Sequence, residues 1–414
     1  MRRYKAVPRF LTAEHQCAVR ILGELRTAGM RSLADLDRAL AADPIIGPRL
    51  NHPVSSSGAG GQTWQGPSLV VWLVDHAITQ AGGFDLPAPT RDSLTTKWAE
   101  ALRRPSDPIT VVVVLSEFAA PSVPILLEPD LEIDELNEQE IAAALMSGAG
   151  QGGLSPNDER MVSRVFGIRS SCESRLFVDG VPPAEDQPEM AVRVDARQRA
   201  ERVLLTLRVF KAGRVGTSGS FEYTRSLDAS VSPVTWTLGP FFGWHAGEPY
   251  VLTDEELPRF HEFWSALDKV HARPVISGAL RRFTFAANRS LPDDEIVDLM
   301  IAAEALFLTE MGKQDRGELR FRLATRAAFL LGTTPAERVR LFKFMRCAYD
   351  ARSVIVHGGV PSEDDLQGLN GLPASIHKFA DDLEGALRGA LQRAIDLIMS
   401  DEPFPPDWVK LMFE

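Results

Sequence analysis

Residues 334–359 read TPAERVRLFKFMRCAYDARSVIVHGG, and this stretch carries the clearest helix signals of the chain. Thr334 can cap the first turn, Pro335 suits the first helical position, and Glu337 completes a capping box. The glycine pair at its end is typical of a helix terminus. The sequence therefore predicts one long helix from Pro335 to His357.

Further helices are predicted on both sides of this one, from capping signals and from apolar residues spaced three and four apart. They are one helix starting at the capping box Thr253/Glu256, one over 291–310 capped by Ser290 with Asp293, one over 318–331 ending at Gly332, and one over 375–399. Residues 253–400 are thus predicted to be helical, and residues 401–414 to form an extended tail broken by prolines.

The preceding part, residues 106–280, is predicted to be a β-rich domain. Ile109–Leu115 is a Val-rich run typical of a buried strand. The alternation of Val203, Leu205, Leu207 and Val209 predicts another strand over Arg202–Lys211. Further strands are predicted at Pro124–Leu127, Phe221–Thr224 and Val234–Leu238, and a short helix over Glu138–Met146 is predicted with Asn137 and Glu140 as its capping box. Residues 1–105 are predicted to be helices with loops, of unknown role, so that the fold class is α+β.

The composition excludes several classes of protein. The chain has 414 residues, of which 44% are hydrophobic and 24% charged, which indicates folded domains rather than a disordered chain. A net charge of −11 argues against a general DNA-coating protein. The three cysteines lie far apart without zinc-ligand spacing, and no apolar run is long enough for a membrane span or a signal peptide. We therefore expect a cytoplasmic protein that uses no metal, no cofactor and no membrane.

The end of the long helix combines a cation, a hydroxyl and an imidazole in Arg352, Ser353 and His357. RNA cleavage without a metal needs groups of this kind, because a proton must leave the 2′-hydroxyl while the charge on phosphorus is offset. Histidine transfers protons near neutral pH, and arginine binds phosphate with two parallel hydrogen bonds. The spacing alone is not specific, since a second match runs from Arg9 to His15.

Helix geometry constrains such a site. Positions i and i+5 lie about 140° apart on an α-helix, so Arg352 and His357 do not share a face, whereas Ser353 and His357 do. Two alternatives follow from the residues: the helix unwinds near the glycines, or a second copy of the chain completes the site.

Four segments of the C-terminal part, taken in order, resemble the Apea-like branch of the HEPN superfamily. They are Arg281–Phe283 (RRF), Asp298–Leu306 (DLMIAAEAL), Arg322–Leu331 (RLATRAAFLL) and Tyr349–Gly359 (YDARSVIVHGG). HEPN ribonucleases carry an arginine, a polar residue, three to five more residues and a histidine. Arg352, Ser353 and His357 fit that motif, although the residue after the arginine is often asparagine in the family.

The resemblance implies a HEPN-like helical bundle over 281–400 that pairs two copies of its motif in a homodimer. It implies a metal-independent endoribonuclease that cuts RNA, for example tRNA, in bacterial antiphage defence by abortive infection or as a toxin. Arg352 would hold the scissile phosphate, His357 would transfer protons, and Ser353 would bridge or orient. Residues 106–280 would then be a sensor or regulatory domain that responds to a phage protein or a small molecule.

Further residues are candidates for RNA binding or for support of the site. Between Arg316 and Arg352, nine Lys or Arg residues stand against three acids, a net charge of +6. Arg322 and Arg326 share a helix face and either line an RNA groove or pair with Glu304, an acid in an apolar run; we favour the pairing. Two more candidates adjoin the motif: Tyr349, and Asp350, which either orients an arginine or histidine or is solvated.

An alternative keeps the same fold without catalysis. The helical part would be an inactive dimerisation or nucleotide-binding module, and the β-rich domain would recognise a ligand or phage protein. The two hypotheses differ in one structural feature: whether Arg352 and His357 face solvent in a shared cleft. Cys347, on the same helix, is expected to be a core residue rather than a nucleophile.

Overall fold

A computed structural model describes residues 107–138, 140–141, 144, 164–174, 188–224, 231–232, 249–271, 273–308 and 318–413. Predictions for residues 1–105, for Val234–Leu238 and for most of Glu138–Met146 lie outside this part. The described residues fall into two compact units. The first holds residues 107–115, those between 123 and 200, and those from 217 to 232; the second holds residues 116–122, 201–216 and those after 248.

The first unit is built on a six-stranded sheet in the order β3-β4-β5-β1-β6-β7. The strands are β1 (Asp107–Ser116), β3 (Ile125–Glu128), β4 (Leu131–Glu135), β5 (Phe166–Ser174), β6 (Gly216–Thr224) and β7 (Val231–Ser232). Antiparallel pairing joins β3 to β4, β4 to β5, β5 to β1 and β6 to β7. The strands predicted at Ile109–Leu115, Pro124–Leu127 and Phe221–Thr224 are confirmed.

The core of the sheet explains why the Val-rich run becomes a strand. Val112 and Val114 pack with Leu136 and Phe221, all buried. Gly167 on β5 lies so close to this cluster that an added Cβ would meet Val112 at 2.9 Å and Leu136 at 2.8 Å. A larger residue at this position would force the strand and its neighbours apart.

Two arginines hold acidic side chains against the sheet. Arg169 on β5 donates to both carboxylate oxygens of the buried Glu140, at 2.9 and 2.6 Å. Glu140 also accepts from the amide of Asn137, whose side chain accepts from the amide of Glu140, so the predicted capping box is confirmed. Arg199 donates to Glu128 and Asp130, and this guanidinium lowers the pKa of the Asp130 carboxyl.

The strand predicted at Arg202–Lys211 is wrong, because these residues end a long helix, α1 (Pro188–Phe210). Every residue from Val203 to Phe210 is buried, so the alternation of apolar residues does not mark one exposed face. Arg208 interrupts the apolar run but has partners there. Its Nε donates to the Val215 carbonyl at 3.2 Å and its Nη2 to Asn288 at 3.0 Å.

The second unit is helical apart from a short parallel pair, β2 (Phe118–Ala119) with β8 (Tyr250–Val251). Its later helices are α2 (Leu257–His271), α3 (Pro274–Ala286), α4 (Pro292–Phe307), α5 (Leu319–Leu331), α6 (Pro335–Val356), α7 (Ile376–Met399) and α8 (Trp408–Phe413). They share one hydrophobic core with the end of α1. The described residues combine an antiparallel sheet with helices concentrated in the C-terminal half, which agrees with the predicted α+β class.

The capping predictions succeed where the signal is complete. The amide of Glu337 donates to the Thr334 hydroxyl, and the Glu337 carboxylate accepts from the Thr334 amide, so the box at α6 is confirmed. Hydrogen bonds from Thr333 and Thr334 lower the pKa of Glu337 to about 2. The box predicted at Thr253 is half formed: the Glu256 carboxylate accepts from the Thr253 amide, but the Glu256 amide bonds the Thr253 carbonyl.

Three other boundaries differ from prediction. Ser290 does not cap α4, whose N-cap is Leu291 without a side-chain bond; the helix starts at Pro292 and ends at Phe307. The tail is not wholly extended, because Trp408 begins α8 and packs in the core beside Phe307. The domain boundary predicted at residue 281 falls inside α3, because its buried residues on both sides of that point join one core.

An ion-paired carboxylate is buried between α3 and α4. Asp298 has only 3% of its side chain exposed, and it accepts from Arg282 Nη1 at 2.8 Å and Arg289 Nε at 2.6 Å. Two guanidinium partners compensate for the loss of hydration. The ion pair between Arg282 and Asp298 links two of the segments that carry the family resemblance.

We predict that Asp298→Ala lowers the free energy of unfolding by about 2–3 kcal/mol, because both arginines lose their acceptor while keeping access to water. Chemical denaturation followed by circular dichroism measures the loss. Asp294→Ala, at an exposed acid of the same helix, is the control and should change stability by less than about 0.5 kcal/mol. Equal losses in both variants would contradict the assignment.

Glu295 gives the second unit a pH-dependent stability. Burial, with Glu384 and Asp381 nearby, raises its pKa to about 8, against the opposing effect of Arg214. The Glu295 carboxyl of the unfolded chain has the usual pKa of 4.5. Between pH 4.5 and about 8, the native state therefore holds a proton that the unfolded chain has released. This bound proton stabilises the native state fully at low pH, and the stabilisation is lost as the pH rises to about 8.

We predict that Glu295→Gln, which mimics the protonated form, raises the melting temperature most at pH 9 and has little effect near pH 4.5. Thermal melts across this pH range test it, with Glu262→Gln on the exposed side of α2 as control. A gain that does not vary with pH would show that the carboxyl of Glu295 is not the cause.

Candidate functional site

The end of α6 places His357 at an exposed helix terminus. Gly358 has a φ of +80°, which favours glycine, and its amide bonds the Ile355 carbonyl at 2.9 Å. The amide of Gly359 bonds the Val354 carbonyl at 2.9 Å, which completes a Schellman motif. His357 is the C-cap residue and is exposed. The helix is regular up to Val356, so the alternative in which it unwinds before the glycines is not found.

Arg352 and His357 do not converge within one chain. The regular helix separates them by about 140°. Arg352 is half-buried, and its Nε is buried without a hydrogen-bond partner. Ser353 is half-buried and accepts, through its carbonyl, from the His357 amide at 3.2 Å. One chain therefore exposes the imidazole but does not bring the guanidinium beside it.

The two residues before the motif have other partners. Asp350 is exposed and forms an ion pair with Arg320 of α5. Asp350 thus orients Arg320, in line with the prediction that it orients an arginine or histidine. It does not pair with Arg352, the arginine of the motif. Tyr349 is half-buried and packs against the hydrophobic core, so it supports the helix from inside.

The pairing of Glu304 with Arg322 or Arg326 is wrong. Arg326 donates to the Phe307 carbonyl at 2.5 Å and lies 5.0 Å from the centre of the Trp408 ring. That carbonyl belongs to the last turn of α4, where backbone acceptors lack helical partners. Glu304 is only half-buried and forms no ion pair with either arginine. Arg322 is half-buried on α5, and no hydrogen bond or ion pair among the described residues joins it to the motif.

A cleft of about 530 Å³ lies along the outer face of α6. It is lined by Arg320, Lys343, Arg346, Cys347, Asp350, Ala351, Val354, Val360, Pro361, Asp365, Leu366 and Gln367. The lining combines three cations and two carboxylates with an apolar wall. Neither Arg352 nor His357 belongs to the lining of this cleft.

The cleft and His357 nevertheless share one side of α6. Lys343, Arg346, Asp350, Val354 and His357 follow one another at spacings of three and four, which keeps them on one helix face. No sequence motif singles out Lys343 and Arg346 as site residues. The positive net charge of residues 316–352 is the sequence signal for these two cations. The cleft itself forms because the loop after α6 lies beside the face that carries them.

In comparisons with known proteins, no family model, no curated protein and no solved structure matches the chain. In the part of the chain that the structure describes, none of the helices is both long and apolar enough to cross a membrane. The same residues contain no group of three or more His, Cys, Asp or Glu side chains arranged to hold a metal ion.

Cys347 is the thiol at the base of the cleft. Its Sγ donates to the Asp365 carbonyl at 3.1 Å, and it is half-buried against the core, as predicted. Burial raises the pKa of the thiol, and Asp350 and Asp365 add to this effect against opposing contributions from the Gln367 backbone and Arg320. The reactive thiolate is therefore scarce at neutral pH.

We predict that iodoacetamide alkylates Cys347 at least about 10-fold more slowly in the folded protein than in urea at the same pH, because the thiol is both shielded and protonated. Peptide mass spectrometry over a time course measures the rate at this cysteine separately from Cys17 and Cys172. Equal rates in the folded and denatured protein would show that Cys347 is neither shielded nor more protonated than an ordinary thiol, contrary to the structure.

Proposed function

We propose that this protein is a metal-independent endoribonuclease of the HEPN type, active as a homodimer. The observation that carries the proposal is the exposed imidazole of His357 at the end of α6, one to two turns after Ser353 and Arg352. The sequence resemblance in four segments of the second unit supports it. An ion pair between Arg282 and the buried Asp298 joins two of these segments.

The proposed reaction uses only side chains of the motif. His357 accepts the proton of the 2′-hydroxyl, and the 2′-oxygen attacks the adjacent phosphorus. The bond to the 5′-oxygen breaks, and the proton passes to that leaving oxygen. The products are a 2′,3′-cyclic phosphate and a 5′-hydroxyl. Arg352 offsets the charge that develops on the phosphate oxygens, and Ser353 orients the imidazole.

The geometry of α6 favours a site shared between two copies. A regular helix keeps Arg352 away from the His357 of its own chain, but two such helix ends packed across a two-fold axis can bring each arginine to the partner's histidine. An apolar side chain for this contact is exposed at the same end, outside the cleft: Val356 is 53% exposed.

The biological setting follows from the resemblance alone. We propose a role in bacterial antiphage defence by abortive infection, or in a toxin system, with tRNA among the candidate substrates. The first unit, with its sheet and buried arginine–carboxylate pairs, is proposed to sense a phage protein or small molecule, or to restrain the nuclease.

One observation favours the alternative of a catalytically inactive module. Arg352 and His357 lie about 140° apart on α6 and both lie outside the lining of the cleft, and the Nε of Arg352 is buried. If the helix ends do not pair between copies, the motif only terminates α6, and the second unit serves dimerisation or nucleotide binding. Ligand or phage-protein recognition would then fall to the β-rich part.

We predict that the purified protein cuts total RNA or tRNA in EDTA and that His357→Ala lowers the rate by about 10²–10⁴-fold, because a general acid–base group is lost. End-mapping for 2′,3′-cyclic phosphate identifies the chemistry. His377→Ala, at an exposed histidine near the start of α7, is the matched control and should cut like wild type. No cutting by wild type, together with no growth arrest on its expression, would favour the inactive module.

Mixing two inactive variants tests the shared site. Arg352→Ala and His357→Ala, unfolded together and refolded, form mixed dimers in which one of the two shared sites is intact. Random pairing then restores about a quarter of the wild-type rate. Sites built within single chains would stay inactive in every combination, which would exclude the dimeric arrangement.

A further inference from the structure

The cleft along α6 holds two cations, Lys343 and Arg346, that form no ion pair with the carboxylates of the described residues, although Asp350 and Asp365 also line the cleft. Lys343 is exposed, Arg346 is half-buried over the Phe342 ring, and neither takes part in an ion pair in the described structure. The third cation of the lining, Arg320, pairs with Asp350. In a protein with a net charge of −11, this is a local excess of positive charge.

The lining also has an apolar part. Val354, Val360, Pro361 and Leu366 line the cleft with the cations. Val360 is 87% exposed, so this wall is open to a ligand. The volume of about 530 Å³ suits a ligand the size of one nucleotide. Such a ligand presents an anionic phosphate to one side and a flat base to the other, which matches the two kinds of lining.

The position of the cleft relates it to the motif. Arg346 and His357 lie on one face of α6 and are 11 residues apart, which corresponds to about 16 Å along a helix. A short extended stretch of single-stranded RNA spans such a distance. A strand cut at His357 would therefore pass over the face that carries Arg346 and Lys343.

We infer that the cleft is a subsite for a nucleotide of single-stranded RNA that flanks the scissile phosphate, with Lys343 and Arg346 binding phosphate and Val354, Val360 and Pro361 contacting the base. This inference rests on the proposed function, which it extends from the cleaved bond to the neighbouring nucleotides. The lining contains no aromatic ring for stacking, so binding depends on phosphate charge and tolerates different bases.

The test measures binding rather than cleavage. In a His357→Ala background, the affinity for a labelled single-stranded RNA is followed by fluorescence anisotropy over a range of salt concentrations. Lys343→Ala combined with Arg346→Ala should weaken binding at least about 10-fold and lower the log–log salt slope by about 1.4, since each phosphate contact on a single strand contributes about 0.7. Arg393→Ala, at an exposed arginine of α7, is the matched control and should leave both values unchanged.

A variant of opposite sign separates electrostatics from misfolding. Asp350→Asn removes a negative charge from the lining and frees Arg320, so it should tighten RNA binding several-fold. A fold defect would weaken binding in this variant as well. ATP serves as a second probe: if it binds and is lost in the double variant while RNA does not bind, the cleft takes a free nucleotide and the RNA subsite is excluded.

The two proposals can fail separately. RNA binding that is lost in the double variant, with neither cleavage nor growth arrest by wild type, would support an RNA site in the cleft and contradict the nuclease. Cleavage and RNA binding that are both unchanged in the double variant would support the nuclease and overturn the subsite. Absence of RNA binding at any salt concentration would also overturn the subsite.

Discussion

A regular α-helix keeps residues five positions apart on different faces, and the candidate site depends on this constraint. Helix α6 is fixed at its start by a reciprocal capping box and at its end by a Schellman motif. Between them, Leu341, Phe344, Met345 and Ala348 bury one side in the core. Because both ends and one face are fixed, the directions of the remaining side chains are fixed as well. Arg352 lies on one side of α6, and Arg346 and His357 lie on another.

The elements predicted well from sequence are those with local signals. The limits of α5, α6 and α7 follow from Gly332, from the Thr334 box and from Ser375, which accepts from the Lys378 amide at 3.3 Å. These interactions form within one turn and need no knowledge of the fold. The Val-rich strand β1 is similar, because a continuous β-branched run favours a buried strand in most surroundings.

The wrong predictions concern residues whose state depends on distant partners. The end of α1 alternates like a strand, but its Arg208 is buried and donates to acceptors from other segments, Val215 and Asn288. The buried acid was expected at Glu304 and is found at Asp298, whose arginines come from α3 and the turn before α4. In the candidate site, sequence supplied the motif and its charged surroundings. The cleft itself requires the loop after α6, whose path no local pattern predicts.

The docking of Trp408 has a consequence for the order in which the second unit forms during synthesis. Its ring lies 6.2 Å from that of Phe307 in α4, and Arg326 of α5 lies over it. Trp408 therefore packs against helices that are synthesised up to about a hundred residues earlier. On the ribosome these helices emerge first, while Trp408 is still to be added. A chain proposed to cut RNA would thus lack this core contact until Trp408 has been added, so the helices made before it have a less complete core.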